Sequence, residues 1–164
     1  MNDENRGKIR NVCYAEQIID FSGLRFGTIT PTNIDGYMDF WGKGHVFFEA
    51  KHSSAIPPRG QKLAFERVVD PLAPFSIYII ASHNAPHHEQ INAAETIVSS
   101  VRFLGRWINP NQNLATKVVV EKFLSFLRNR NPDEFYNFLI RPAQTQPEES
   151  TITLSSLEWL RLCP

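Results

Sequence analysis

The chain has 164 residues, 42% of them hydrophobic and 21% charged, and its 17 basic and 17 acidic side chains cancel to a formal net charge of zero. This is the size and composition of one globular domain with a real core; it contains no run suited to a membrane span, and its charge balance speaks against coating nucleic acid while leaving room for an enzyme that grips a few phosphates. Two cysteines, Cys13 and Cys163, stand at opposite ends without CxxC spacing, which argues against a zinc ribbon or iron–sulfur cluster and, with the polar start MNDENRGKIR, fits a reducing, cytoplasmic setting.

From about Val12 to Phe21 the mixed apolar spacing predicts a short helix, ended by Gly23. Thr28 to Trp41 reads as a strand entered through Pro31, Gly42-Lys43-Gly44 as a turn, and His45 to His52 as a second strand of the same hairpin. Pro57-Pro58-Arg59-Gly60 breaks the chain before a helix, QKLAFERVVD, whose expected inner face carries Gln61, Ala64 or Phe65, and Val68. Phe75 to Ala81 is a short apolar strand suited to a sheet centre. After the loop SHNAPHHEQ, the β-branched and aromatic residues from Ile97 to Trp107 predict one long strand. Leu114 to Arg128 carries a helical stripe, Val119, Val120, Phe123, Leu124 and Leu127, and Asn131-Pro132-Asp133-Glu134 has the cap, proline and early acids of a helix start. RPAQTQPEES reads as a linker, and TITLSSLEWLRL as a tail that docks or binds a partner.

The chemistry concentrates in Val46-Phe47-Phe48-Glu49-Ala50-Lys51-His52. A strand alternates its faces, so Phe47, Glu49 and Lys51 share one side and Val46, Phe48 and Ala50 the other. Glu49 and Lys51 are either a solvated surface pair or the floor of a site, and Phe47 between His45 and Glu49 points toward burial. For Asp35, on the preceding strand, to face the same side as Glu49, paired positions must sum to an even number. A two-residue Gly42-Lys43 turn gives an odd sum; a three-residue turn, or a bulge at Gly36, gives an even one. Otherwise Asp35 is a turn aspartate beside glycine. Two neighbouring carboxylates make a hard oxygen site suited to Mg²⁺, and a lysine beside them can orient water and stabilise charge on a phosphate. Gln61, opening the next helix, could hydrogen-bond the water or the phosphate. Glu16 occupies a comparable place on the first helix.

Asp35, then Glu49-Ala50-Lys51, then Gln61 at a helix start resembles the PD-(D/E)XK nuclease superfamily, and the passage TPTNIDGYMDFWGKGHVFFEAKH…PPRGQKLAFERVVD is most similar to its small phage-type and VRR-NUC-like nucleases. The likeness spans roughly residues 10 to 108. It implies an α/β fold over residues 1–130 with a restriction-endonuclease-like αβββαβ core, a mixed central sheet flanked by helices, and a C-terminal helical extension over 131–164. It implies Asp35 and Glu49 as metal ligands with Glu16 as a third acid, Lys51 as the catalytic lysine, and Gln61 as its helper. The cofactor would be Mg²⁺, with Mn²⁺ able to substitute, and the substrate nucleic acid, DNA ahead of RNA. A phage or mobile-element origin follows from the likeness alone. No proline directly precedes Asp35, so the literal "PD" is missing, but that proline is not chemically required.

Lys43, Arg59, Lys62, Arg102 and Arg106 could follow a phosphate backbone if they cluster in space. Trp41 and Trp107 could stack on bases or simply pack. His83, His87 and His88 lack further ligands at metal spacing except Glu89, so they read as loop histidines, with His83 able to border the cleft. Two other functions compete with a self-sufficient nuclease. One is a nuclease fold kept for binding nucleic acid or a host protein, such as an inhibitor of a bacterial defence system. The other is a subunit that cuts only within a homodimer or larger assembly, docked through Leu154, Leu157, Trp159 and Leu160.

Overall fold

A computed structural model describes Gly23 and residues 34–53, 55–86 and 89–141. The chain divides into two compact units, Met1–Asn33 and Ile34–Pro164, and the elements below belong to the second. The helix expected over residues 12–21, Glu16 with it, lies outside the described residues, as do His87, His88 and the C-terminal tail.

Five strands form one mixed sheet in the order β1-β2-β3-β4-β5: β1 (Gly36–Asp39), β2 (His45–His52), β3 (Ser76–His83), β4 (Ile97–Phe103) and β5 (Arg106–Ile108). β1 and β2 are antiparallel, β2 and β3 parallel, and β4 and β5 continue antiparallel. The parallel pair needs a crossover, which α1 (Arg59–Val69) supplies. Two further helices, α2 (Thr116–Asn129) and α3 (Pro132–Ile140), follow the sheet. The α/β class with a mixed sheet and flanking helices is therefore present.

Alternation assigns the two faces. Val46 and Phe48 of β2, Ile77, Ile79 and Ala81 of β3, and Val98, Val101 and Phe103 of β4 pack with Val119, Phe123 and Phe126 of α2 and Phe135 and Leu139 of α3. On the opposite face Phe47, Tyr78 and Ile80 pack with Phe65 and Val69 of α1, and Trp107 leans on them. Being covered on both sides explains why β2 and β3 are nearly continuous apolar runs. α3, in the region expected as a helical extension, buries Phe135 and Leu139 in the main core. Its start is capped as the sequence predicts, with Asn131 Oδ1 accepting the Glu134 N–H at 3.3 Å.

Several local expectations are corrected. Trp41 belongs to a turn rather than the first strand: Trp41 (φ 54°) and Gly42 (φ 67°) are left-handed, Lys43 N–H donates to Phe40 O at 3.0 Å, and Phe40 N–H donates to Gly44 O at 2.8 Å. The stretch expected as one strand over 97–107 is a hairpin, turned at Leu104 (φ 50°) and Gly105 (φ 71°). A leucine at positive φ hides the turn signal that Asn-Gly or Asp-Gly would have shown. In β4 the register with β3 steps from Ile80↔Ser100 to Ala81↔Val98, so Ser99 is the extra residue of a bulge, and Val98 and Val101 both reach the core. On α1 the inner face is Gln61, Phe65 and Val69; it is centred on Phe65, which leaves Val68 at the margin and 47% exposed.

Candidate active site

The β1–β2 pairs Gly36↔Phe48, Tyr37↔Phe47, Met38↔Val46 and Asp39↔His45 all sum to even numbers. The three-residue connection Trp41-Gly42-Lys43 sets this parity, and β1, which begins at Gly36, keeps one register with β2 throughout. Continuing the register one step places Asp35 opposite Glu49. The Asp35 carboxylate is anchored there, its Oδ2 accepting the Ala50 N–H at 2.8 Å.

Glu49 is 1% exposed, although β2 could have turned that position to water. Its Oε1 accepts a hydrogen bond from Lys51 Nζ at 2.5 Å, and its Oε2 is buried with no hydrogen-bond partner. An orphaned buried carboxylate oxygen costs about 1–3 kcal/mol or more, which a fold retains where something else is to bind. Lys51 Nζ also reaches Gln61 Oε1 at 3.4 Å. β2 ends at His52, where the chain turns at the left-handed Ser53 (φ 56°), and Pro57-Pro58 lead into α1, so that Gln61, 8% exposed, opens the helix face turned to the sheet. Pro58, which precedes α1, gives no side-chain cap. The first backbone N–H groups of α1 therefore add partial positive charge beside the carboxylates.

Tyr78 completes the constellation, and sequence reasoning missed it. It is fully buried on the α1 face of β3, stacked on Phe65 (centroids 4.2 Å apart) and edge-on to Trp107 (5.7 Å). Its hydroxyl has no hydrogen-bond partner. Burial first, then the charges of Glu49 and Asp35, push the phenol well above its ordinary value of 10.0. The signal was a single tyrosine inside the aliphatic run Ile77-Tyr78-Ile79-Ile80, which needs a polar reason to be there.

The expected cationic contacts divide. Arg59 is the first residue of α1 and exposed. Lys62 lies over the Trp107 ring, 4.2 Å from its centroid. Trp107 donates to Glu66 Oε1 at 2.5 Å, and Arg102 pairs with both Asp70 oxygens, at 3.0 and 2.6 Å. That network fixes Trp107 as packing rather than a free stacking platform. Lys43 and Trp41 sit in the β1–β2 turn, at the opposite end of β2 from Lys51, which stands about 20 Å from His45 along the strand at 3.3 Å per residue.

No group of three or more histidine, cysteine or acidic side chains able to hold a metal occurs among the described residues. Two carboxylates do, and Mg²⁺ is commonly held by one or two, with water and substrate phosphate completing its shell. The unpartnered Glu49 Oε2 beside Asp35 fits that donor set. No helix among the described residues is long and apolar enough to cross a membrane. A scan against protein-family models finds no match, and searches of curated proteins and of solved structures find no significant match.

Proposed function

We propose that the protein is a metal-dependent nuclease that hydrolyses phosphodiester bonds, on a restriction-endonuclease-like core of the PD-(D/E)XK kind. The observation that carries this reading is Glu49: buried, paired with Lys51 through one oxygen, and unpartnered at the other. A carboxylate so placed is expensive unless a cation meets it. Asp35 and Glu49 would hold Mg²⁺ or Mn²⁺, which when bound supplies charge neutralisation at the phosphate and a more acidic water.

The chain's own groups account for the rest. Lys51 Nζ has three donors; Glu49 and Gln61 take two, and the third can orient the attacking water or meet a phosphate oxygen. Gln61 accepts from Lys51 through its Oε1 and so helps fix where the ammonium stands. The uncapped start of α1, with Arg59 beside it, favours an anionic group near Lys51. The hydrophobic row of Phe47, Phe65 and Tyr78 beneath keeps bulk water from screening these interactions.

The test is cleavage of linear duplex, single strand, branched junction and RNA in Mg²⁺ or Mn²⁺, by wild type and Lys51→Ala. Cutting by the wild type and not by the variant is expected. If neither cuts while both bind the same nucleic acid or protein, the nuclease reading fails. The near-zero net charge would then count toward a binding protein of nuclease fold.

A further inference from the structure

At the carboxyl end of β3 a groove of about 340 Å³ is lined by, among others, Ser82, His83, Asn84, Glu89, Gln90 and Glu95. Its place is set by register. Lys51↔Ser82 is a β2–β3 pair, so the groove begins one strand, about 4.8 Å, from the lysine of the site above. It lies at the carboxyl end of β3, between that strand's last residues and the start of β4, on the side of the sheet where open α/β folds receive ligands. Its size is at the lower limit of small-molecule pockets, ~300 Å³ upward.

The lining chemistry is selective. No lysine or arginine among the described residues lines it, so it is a poor cradle for phosphate. It offers three amides, two hydroxyls, an imidazole and two carboxylates. Those are the groups that read base edges: Asn and Gln donate and accept at once, and Glu accepts from an exocyclic amine. Glu95 is already held by Asn92 Nδ2 at 2.7 Å; Asn84, Glu89 and Gln90 are on exposed or half-exposed loop. His83 supplies an independent sign of a missing partner. His83 lines the groove, and its Nδ1 is buried without any hydrogen-bond partner.

We infer that this groove takes one unstacked nucleobase of the strand whose phosphate lies at Lys51, so that the preferred substrate is a single-stranded or frayed segment. The inference rests on the nuclease reading for the phosphate's position. A base within a duplex has its Watson–Crick edge occupied, and only an unpaired one can offer it to Asn84, Gln90 and Glu89.

The experiment is fluorescence anisotropy of a labelled single-stranded pentanucleotide, as DNA and as RNA, binding the full chain in EDTA. The same oligonucleotide carries one abasic position, moved along the strand, and a hairpin duplex serves as comparison. One position is expected at which loss of the base weakens binding by roughly tenfold, with the duplex weaker than the single strand. Asn84→Ala combined with Gln90→Ala should bring that ratio to about one with an unchanged melting temperature. Absence of binding, equal binding at every abasic position, or an unchanged ratio in the double variant overturns the inference. Cleavage of the same panel in Mn²⁺ separates the two readings. Base-dependent binding without cutting leaves the groove and removes the nuclease; cutting without base dependence does the reverse.

Discussion

Lys51→Met tests the feature on which the site depends. At the 2.5 Å separation of Lys51 Nζ and Glu49 Oε1, two unit charges attract by about 7 kcal/mol at an effective dielectric constant near 20. Desolvating the carboxylate cancels much of this. Methionine keeps the bulk of the side chain, removes the attraction and leaves the desolvation. Breaking a buried pair from one side costs ~3–5 kcal/mol, and because the Lys51 side chain is 22% exposed, water that enters there puts the expected loss near the lower limit. In a domain of this size that lowers the melting temperature by roughly 6–12 °C. Glu49→Gln should cost only about 1 kcal/mol, since the freed ammonium can turn to water and the amide keeps a hydrogen bond. The double variant should then be more stable than Lys51→Met alone, with a coupling of about 2 kcal/mol. Urea denaturation of the four proteins, with unchanged m-values, gives these differences. A loss under about 0.5 kcal/mol for Lys51→Met, or strictly additive single changes, would mean a solvated surface pair and refute the buried-site reasoning.

Divalent metal should stabilise the wild type, by about 2.7 kcal/mol at a hundredfold excess over its dissociation constant; a calorimetric melt of Asp35→Asn with Glu49→Gln should show no such gain, and an equal gain would place the ion elsewhere. The raised Tyr78 phenol makes the fold sensitive to base. Below pH 10.0 it is neutral in folded and unfolded chains and its share of stability is intact; above that the unfolded chain ionises first, and stability falls as pH climbs toward the folded value. Phenolate absorbance should show one of the four tyrosines resisting ionisation until unfolding, and Tyr78→Phe should flatten the alkaline loss. Gly44 is buried against Leu127, whose Cδ1 a new Cβ would strike; Gly44→Ala should cost about 1–3 kcal/mol, and Leu127→Ala in the same chain should relieve the clash, as urea midpoints of the single and double variants would report.

Much of the site is local and therefore legible in sequence. Period two puts Glu49 and Lys51 on one side of β2 whatever that strand pairs with, and Pro57-Pro58 followed by Arg59-Gly60-Gln61 delivers a glutamine to a helix start through backbone restrictions alone. The stripe of Val119, Phe123 and Leu124 and the Asn131 cap are equally local, resting on helical spacing and one side-chain hydrogen bond. Parity narrowed the Asp35 question to two geometries, but choosing the three-residue turn over a bulge at Gly36 depended on how β1 settles against β2. Other features depend on partners distant in the chain. The parallel β2–β3 pairing places Ser82 beside Lys51, the Ser99 bulge brings Val98 and Val101 into one core, and Lys62, Glu66 and Arg102 fix Trp107. Burial decides the remainder. Periodicity says which side Glu49 faces, yet only the packing of Phe65 and Tyr78 under α1 makes that side dry, and an ion pair in water becomes an unpaired oxygen in the interior because desolvation is a property of the assembled neighbours.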